Sequence, residues 1–165
     1  MSRVMIYIDN SNLFTTARQV DPSLRIDYVK LVELLRDGRE LASVKVYGSE
    51  RYPPIAEQSN FYRYLRSRGY LITILPLKSF GSRFQEKGVD MALGMDMLID
   101  GFQKHFDCAV LVSGDRDYAR LVERVRRDCG WSVEVAFFRM GTSSELRLSA
   151  QKFITLDDHL AVIRR

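Results

Sequence analysis

Four aspartates stand at positions from which carboxylates could be gathered around a cation. Asp9 follows directly on the apolar run 4–8, and Asp115 and Asp117 follow the apolar run 109–112 across the turn Ser113-Gly114. Asp90 falls in the first turn of a Met-rich helical segment, behind Lys87-Gly88-Val89. Carboxylates converging on one point repel one another, and unpaired they lose stability or take up protons. A hard divalent cation such as Mg²⁺ or Mn²⁺, which prefers carboxylate and water oxygens, resolves that conflict. Held in this way it acidifies water and stabilises in-line displacement at phosphorus, and a second ion clamps the leaving oxygen. Asp96 lies six residues beyond Asp90, about 240° further round a helix, so the two do not share a face. Each aspartate alone is better explained as a helix N-cap or a solvated residue than as a ligand. The joint placement of Asp9, Asp115 and Asp117 at strand ends is what points to a site.

The elements that must position these residues alternate. Apolar and β-branched content predicts strands over 4–8, 43–47, 71–75, 109–112, 132–138 and, weakly, 153–155. Helical patterns fall between them, over 26–35, 55–68 (closed by Gly69), 89–106 and 115–129 (closed by Gly130). Buried strands alternating with helices imply a parallel sheet covered on both faces, and ligand sites in such sheets lie beyond the strands' carboxyl ends. The segment 76–88, with two glycines, two serines and three basic residues, is expected to be a mobile surface loop. The tail after Leu156 is not placed by its pattern. Gly114 is expected to permit a tight strand-to-helix turn.

The composition of the 165 residues excludes several classes: 46% are hydrophobic and 11% aromatic, which argues against disorder. Two cysteines, Cys108 and Cys129, build neither a disulfide framework nor a CxxC zinc site and read as small buried residues. No apolar run reaches the length of a membrane span, and no signal-peptide pattern precedes the first strand. One cytoplasmic domain spanning 1–165 is the expectation. There is no phosphate loop of GxxxxGK[ST] type, no GxGxxG after the first strand, and no DxD centre there, since Asp9-Asn10 is followed by Ser11. His105 and His159 stand far in sequence from the aspartates, so paired-histidine RNA cleavage is not supported. The methionines Met5, Met91, Met95 and Met97 read as core filling. The net charge of +4 permits a polyanionic partner without demanding one.

Three motifs, Ile8-Asp9-Asn10-Ser11-Asn12-Leu13, Lys87-Gly88-Val89-Asp90 with Asp96 following, and Ser113-Gly114-Asp115-Arg116-Asp117-Tyr118, resemble those of the NYN domain. That domain belongs to the PIN-like nuclease superfamily, here in its small LabA-like (DUF88) branch. The resemblance runs through nearly the whole chain. It implies a three-layer α/β/α sandwich with a mainly parallel central sheet of order about 3-2-1-4-5. It also implies an acidic pocket that binds Mg²⁺ or Mn²⁺ and hydrolyses RNA. By position the metal and catalytic residues are Asp9, Asp90, Asp115 and Asp117. Asn12 and Ser113 line the pocket, with Asp96 in support. Gln151 stands where many relatives carry Asp, so no fifth acidic residue is expected there.

On this reading Asp9 and Asp115 are the principal ligands, and Asp90 and Asp117 complete the shell directly or through water. Asn12 and Ser113 orient water or a phosphate oxygen, or Ser113 merely satisfies the turn. Lys78, Arg83 and Lys87, which flank the glycines before Asp90, are the candidate phosphate contacts. Arg116, Arg120, Arg124 and Arg127 share a helix face that reads as solvated. Arg51, Tyr52, Arg63 and Tyr64 mix charge with rings as single-strand binders do, although the tyrosines read equally as packing. The expected partner is single-stranded RNA. A nucleic-acid-binding or regulatory module with little catalysis is the alternative. A homodimer stays open, with no face marked for it.

Overall fold

The computed structural model describes residues 2–165 apart from the side chains of Phe80 and Phe84. In chain order the elements are β1 (Arg3–Asp9), α1 (Asn10–Val20), α2 (Tyr28–Arg36), β2 (Glu40–Glu50), α3 (Ala56–Ser67) and β3 (Leu71–Pro76). Then come β4 (Lys78–Phe80), β5 (Arg83–Gln85), α4 (Val89–Phe102), β6 (Cys108–Val112) and α5 (Ala119–Arg124). The chain ends with β7 (Ser132–Phe137), α6 (Ser144–Ser149), β8 (Lys152–Thr155) and α7 (Leu160–Ile163). Six strands form one parallel sheet of order β3-β2-β1-β6-β7-β8, as the expected 3-2-1-4-5 order extended by a sixth strand.

β1 is the centre of that sheet. Its Ile6 registers with Val44 on one side and Val110 on the other, and every residue from Val4 to Asp9 is buried. A strand buried on both faces must be apolar throughout, which is what the run 4–8 supplies. From β1 the chain fills the β2 side first and then crosses to β6, so the order reverses between β1 and β6. A crevice opens at the carboxyl ends of strands at such a reversal. One face of the sheet packs Ile6, Ile8, Val44, Val110 and Phe138 against α1, α2 and the Ile163 turn of α7. The other packs Tyr7, Tyr47, Leu111 and Val135 against Leu93 and Met97 of α4 and Val122 of α5.

Several expectations are corrected. The segment 76–88 carries an antiparallel hairpin, β4 with β5, turning at Gly81 in the left-handed region. The helix expected over 115–129 is three pieces: a 3₁₀ turn at Arg116–Tyr118, α5, and a π turn at Val125–Cys129. The helix expected to run to 106 stops at Phe102. The tail packs back, with Ile163 buried and Arg164 bridging Ile26. Met5 and Met97 are core, but Met91 and Met95 are 64% and 52% exposed. No helix among the described residues is long and apolar enough to cross a membrane.

Candidate functional site

Asp9 ends β1 and caps α1, its Oδ1 accepting the Asn12 backbone N–H at 3.2 Å. An aspartate here satisfies a donor that the helix start leaves orphaned. The cap uses only one oxygen. Oδ2 points across to β6 and accepts the Tyr118 hydroxyl at 3.1 Å, with the Ser113 hydroxyl at 3.4 Å. Asn12 ties the same two strands together, since its Oδ1 accepts Ser113 Oγ at 3.0 Å and Gly114 N–H at 2.9 Å. Ser113, wholly buried, also accepts the Asp115 N–H at 3.2 Å. Asn12 and Ser113 are therefore both joined to Asp9 by hydrogen bonds.

Gly114 is needed for proximity. Its φ is not in the left-handed region, but a Cβ there would stand 1.9 Å from the Gly141 carbonyl oxygen and 2.5 Å from the Phe137 ring. The loop before α6 closes on it, Ser143 N–H donating to the Gly114 carbonyl. This packing holds the turn that presents Asp115.

Asp115 and Asp117 part company. Asp115 caps the 3₁₀ turn, its Oδ1 accepting the Asp117 N–H at 2.9 Å, and both side chains are exposed. Burial pushes the Asp9 carboxyl up to about 6, against the Asn12 and Tyr118 hydrogen bonds; the charges of Glu86 and Asp115 push it the same way. Burial likewise drives the Tyr118 phenol upward, reinforced by Asp9, Asp90 and Asp115. Asp9, Asp90 and Asp115 thus share one electrostatic neighbourhood around the Tyr118 hydroxyl. The contacts of Asp117 give it no such link beyond its own N–H.

Two members of this site are absent from the sequence reading. Tyr118 appears there only as the last residue of the third motif, with no role; its ring is buried, but its hydroxyl reaches Asp9. Glu86 lies in the supposed loop. Its Oε2 accepts both Ser11 Oγ, from the first turn of α1, and Ser49 Oγ, near the end of β2. No spacing signal marks Glu86, because three chain segments distant in sequence meet there.

The remaining candidates spread out. Asp96 accepts the Tyr47 hydroxyl at 2.6 Å, on the side of α4 that faces the sheet. Beside it Asp100, 5% exposed, accepts Lys45 Nζ at 2.6 Å and Tyr7 Oη at 2.7 Å and lies 2.9 Å from His105 Nδ1. Burial works to raise the Asp100 pKa, and these partners outweigh it, leaving the carboxyl below its ordinary value. His105 is thus close to an aspartate after all, though one outside the pocket. Lys78 and Arg83 are exposed on the two strands of the hairpin, and Lys87 is exposed beside Glu86. In the arginine row, Arg116 pairs with Glu145 at 3.4 Å, and Arg124 and Arg127 both pair with Asp128. Tyr52 is 90% exposed, which rules out packing as its explanation, while Tyr64 is half covered at 51%.

Among the described residues, no group of three or more His, Cys, Asp or Glu side chains is placed to hold a metal ion, so a cation here would rest on one or two carboxylates. The donor set nevertheless fits a hard cation. Mg²⁺ is ordinarily held by one or two carboxylates, with waters and substrate phosphates filling the shell. Burial first, and the charges of Glu86 and Asp115 second, raise the Asp9 carboxyl to about 6, and a cation beside it would act in the opposite direction.

The NYN domain family matches residues 3–157. The low amplitude and bright protein LabA of Synechococcus elongatus is 28% identical over 174 residues, covering 99% of this chain and 89% of LabA. A crystal structure of a protein of unknown function from Vibrio parahaemolyticus has the same fold, with a TM-score of 0.81 at 25% identity. That likeness covers 95% of this chain and 94% of the Vibrio chain.

Proposed function

The chain belongs to the NYN domain family, one of the PIN-like nuclease families with nucleic-acid-related function, and on that footing we propose that it is a Mg²⁺- or Mn²⁺-dependent ribonuclease. The observation that carries this reading is the buried Asp9 carboxylate at the sheet's reversal point, with the charges of Glu86 and Asp115 acting on it and that of Asp90 on the Tyr118 hydroxyl it accepts. Asp9 and Asp115 would hold the cation, with Asp90 and Glu86 reached through water. When bound, the cation supplies charge neutralisation at the phosphate and acidifies water.

The chain's own groups set the geometry. Tyr118 and Asn12 fix the Asp9 carboxylate, leaving it no rotational freedom to relax away from a ligand. Asn12 and Ser113 lock the β6 turn so that Asp115 is presented from a rigid edge. Lys78 and Arg83 on the hairpin, with Lys87, offer cations to the phosphates of a single-stranded RNA before it reaches the acidic pocket. Asp117 acts at the rim. A cytoplasmic location accords with an RNA substrate.

The test is cleavage of a labelled single-stranded RNA with Mg²⁺ or Mn²⁺, comparing the natural chain with Asp115→Asn. Cleavage that depends on the cation and is lost in the variant is expected. Undiminished cleavage by Asp115→Asn would sink the assignment. RNA binding without cleavage at any cation concentration would instead make the chain a nucleic-acid-binding or regulatory module.

A further inference from the structure

α4 is apolar on both faces: Val89, Leu93 and Met97 are buried in the core, and its outward side is apolar as well. Its acids Asp96 and Asp100 turn inward to Tyr47, Lys45 and Tyr7, while Met91, Met95, Ile99 and Phe102 turn outward. These four are 64%, 52%, 52% and 61% exposed. Their spacing of four, four and three residues places them on one stripe, where a solvated helix would carry charge. Ala92 and Leu98 fill the space between them, so no charged side chain interrupts the outward face from 91 to 102. Leu71, on the neighbouring edge strand β3, adds a further apolar group at 56% exposure. Ile72 packs into the opposite core, so the strand's alternation turns Leu71 to the α4 side of the sheet.

We infer that this face is the contact surface of a homodimer in which two copies pair their α4 helices antiparallel. Three properties select a second copy as the occupant. The first is area. At roughly 200 Å² for a large side chain, the four exposed groups present on the order of 450 Å², the size of the largest apolar patch that a monomer commonly carries, and such patches are often functional. Two such stripes face to face, with Leu71 and Leu98 at the margin, bury about 1,000 Å², the lower bound for a biological interface and the size of a weak, reversible one. The second is charge. A net charge of +4 opposes self-association everywhere except where charge is absent, and the stripe is such a place. For the same reason the stripe does not suit RNA, whose phosphates require cations. The third is symmetry. A two-fold axis across the middle of α4 sets Met91 of one copy against Phe102 of the other and Met95 against Leu98, so the stripe complements itself. Methionine sulfur against a phenyl ring is a favourable contact.

Sedimentation velocity on the purified full chain across a concentration series tests this. A reversible monomer–dimer equilibrium in the micromolar range is expected, and Met95→Glu or Ile99→Glu should shift it to monomer. Both positions are solvent-exposed in one copy, so each variant should keep the far-UV spectrum and melting temperature of the natural chain. Disulfide trapping fixes the orientation. The double variant Met91→Cys/Phe102→Cys should form interchain crosslinks under mild oxidation. Met91→Cys alone should form none above the background of the natural chain, since its two copies lie about 16 Å apart along the paired helices. A chain that stays monomeric at every concentration overturns the inference. So does a dimer that survives both glutamate variants, or efficient crosslinking of Met91→Cys alone.

Discussion

Asp9 holds its position at a cost in stability. Its carboxyl titrates near 6 in the folded chain against about 3.8 when unfolded, because burial and the charges of Glu86 and Asp115 disfavour ionisation. The folded state therefore keeps a proton that the unfolded chain gives up, and stability falls as pH rises through the window between about 4 and 6. A shift of this size corresponds to roughly 3 kcal/mol of lost stability at neutral pH in the metal-free protein. Thermal melts in chelator across that window should show the decline. Asp9→Asn should flatten it, raise the melting temperature at pH 7, and abolish cleavage. A cation that binds only the folded state should stabilise the natural chain above pH 6 and do little for the variant.

Among the elements, the turn after β6 and the helix α4 do the positioning. Gly114→Ala would drive a methyl group into the Gly141 carbonyl, with no flexible side chain there to yield. We expect a loss of about 2–3 kcal/mol, from overpacking rather than from φ strain. Because the displaced turn carries Asp115, RNA cleavage should fall further than the folded fraction does. Chemical denaturation measured beside activity separates the two effects. α4 is set by the inward contacts of Asp96 and Asp100, which fix its rotation over β1 and β2. That rotation brings the charge of Asp90 within electrostatic reach of Tyr118 and, as its other consequence, turns Met91 and Met95 outward.

At the scale of the molecule, charge is segregated. The acidic groups gather at the β1–β6 reversal, while Lys78 and Arg83 lie exposed on a hairpin that Glu86 fastens to α1 and β2. Removing both cations (Lys78→Ala with Arg83→Ala) should weaken single-stranded RNA binding without affecting the fold. The slope of log affinity against log salt should become shallower by about 1–1.5, the share of two phosphate contacts. Fluorescence anisotropy over a salt series measures this, and an unchanged slope would remove the hairpin from the RNA path.

Local pattern marked the strands of the sheet. The apolar run 4–8 read as a strand buried on both faces, and six such runs with helices between them pointed to parallel, covered pairing; the order came from the resemblance to the NYN domain, not from the pattern. The pattern also set Asp9, Asp115 and Asp117 at strand ends. What the sequence left undetermined involves contacts between segments far apart along the chain. Glu86 enters the site only because the hairpin folds back on Ser11 and Ser49, and Tyr118 only because its ring is buried while its hydroxyl emerges beside Asp9. Gly114 had the right identity for an unforeseen reason, the approach of Gly141. Met91 and Met95 cannot be told from Met97 by composition, because exposure depends on how α4 is rotated. Hydrophobic periodicity is a local property, so it determined which segments form the sheet. Burial, coupled charge and helix rotation depend on neighbours distant in sequence, so only the tertiary structure decided which carboxylates share a site and which apolar face is left bare.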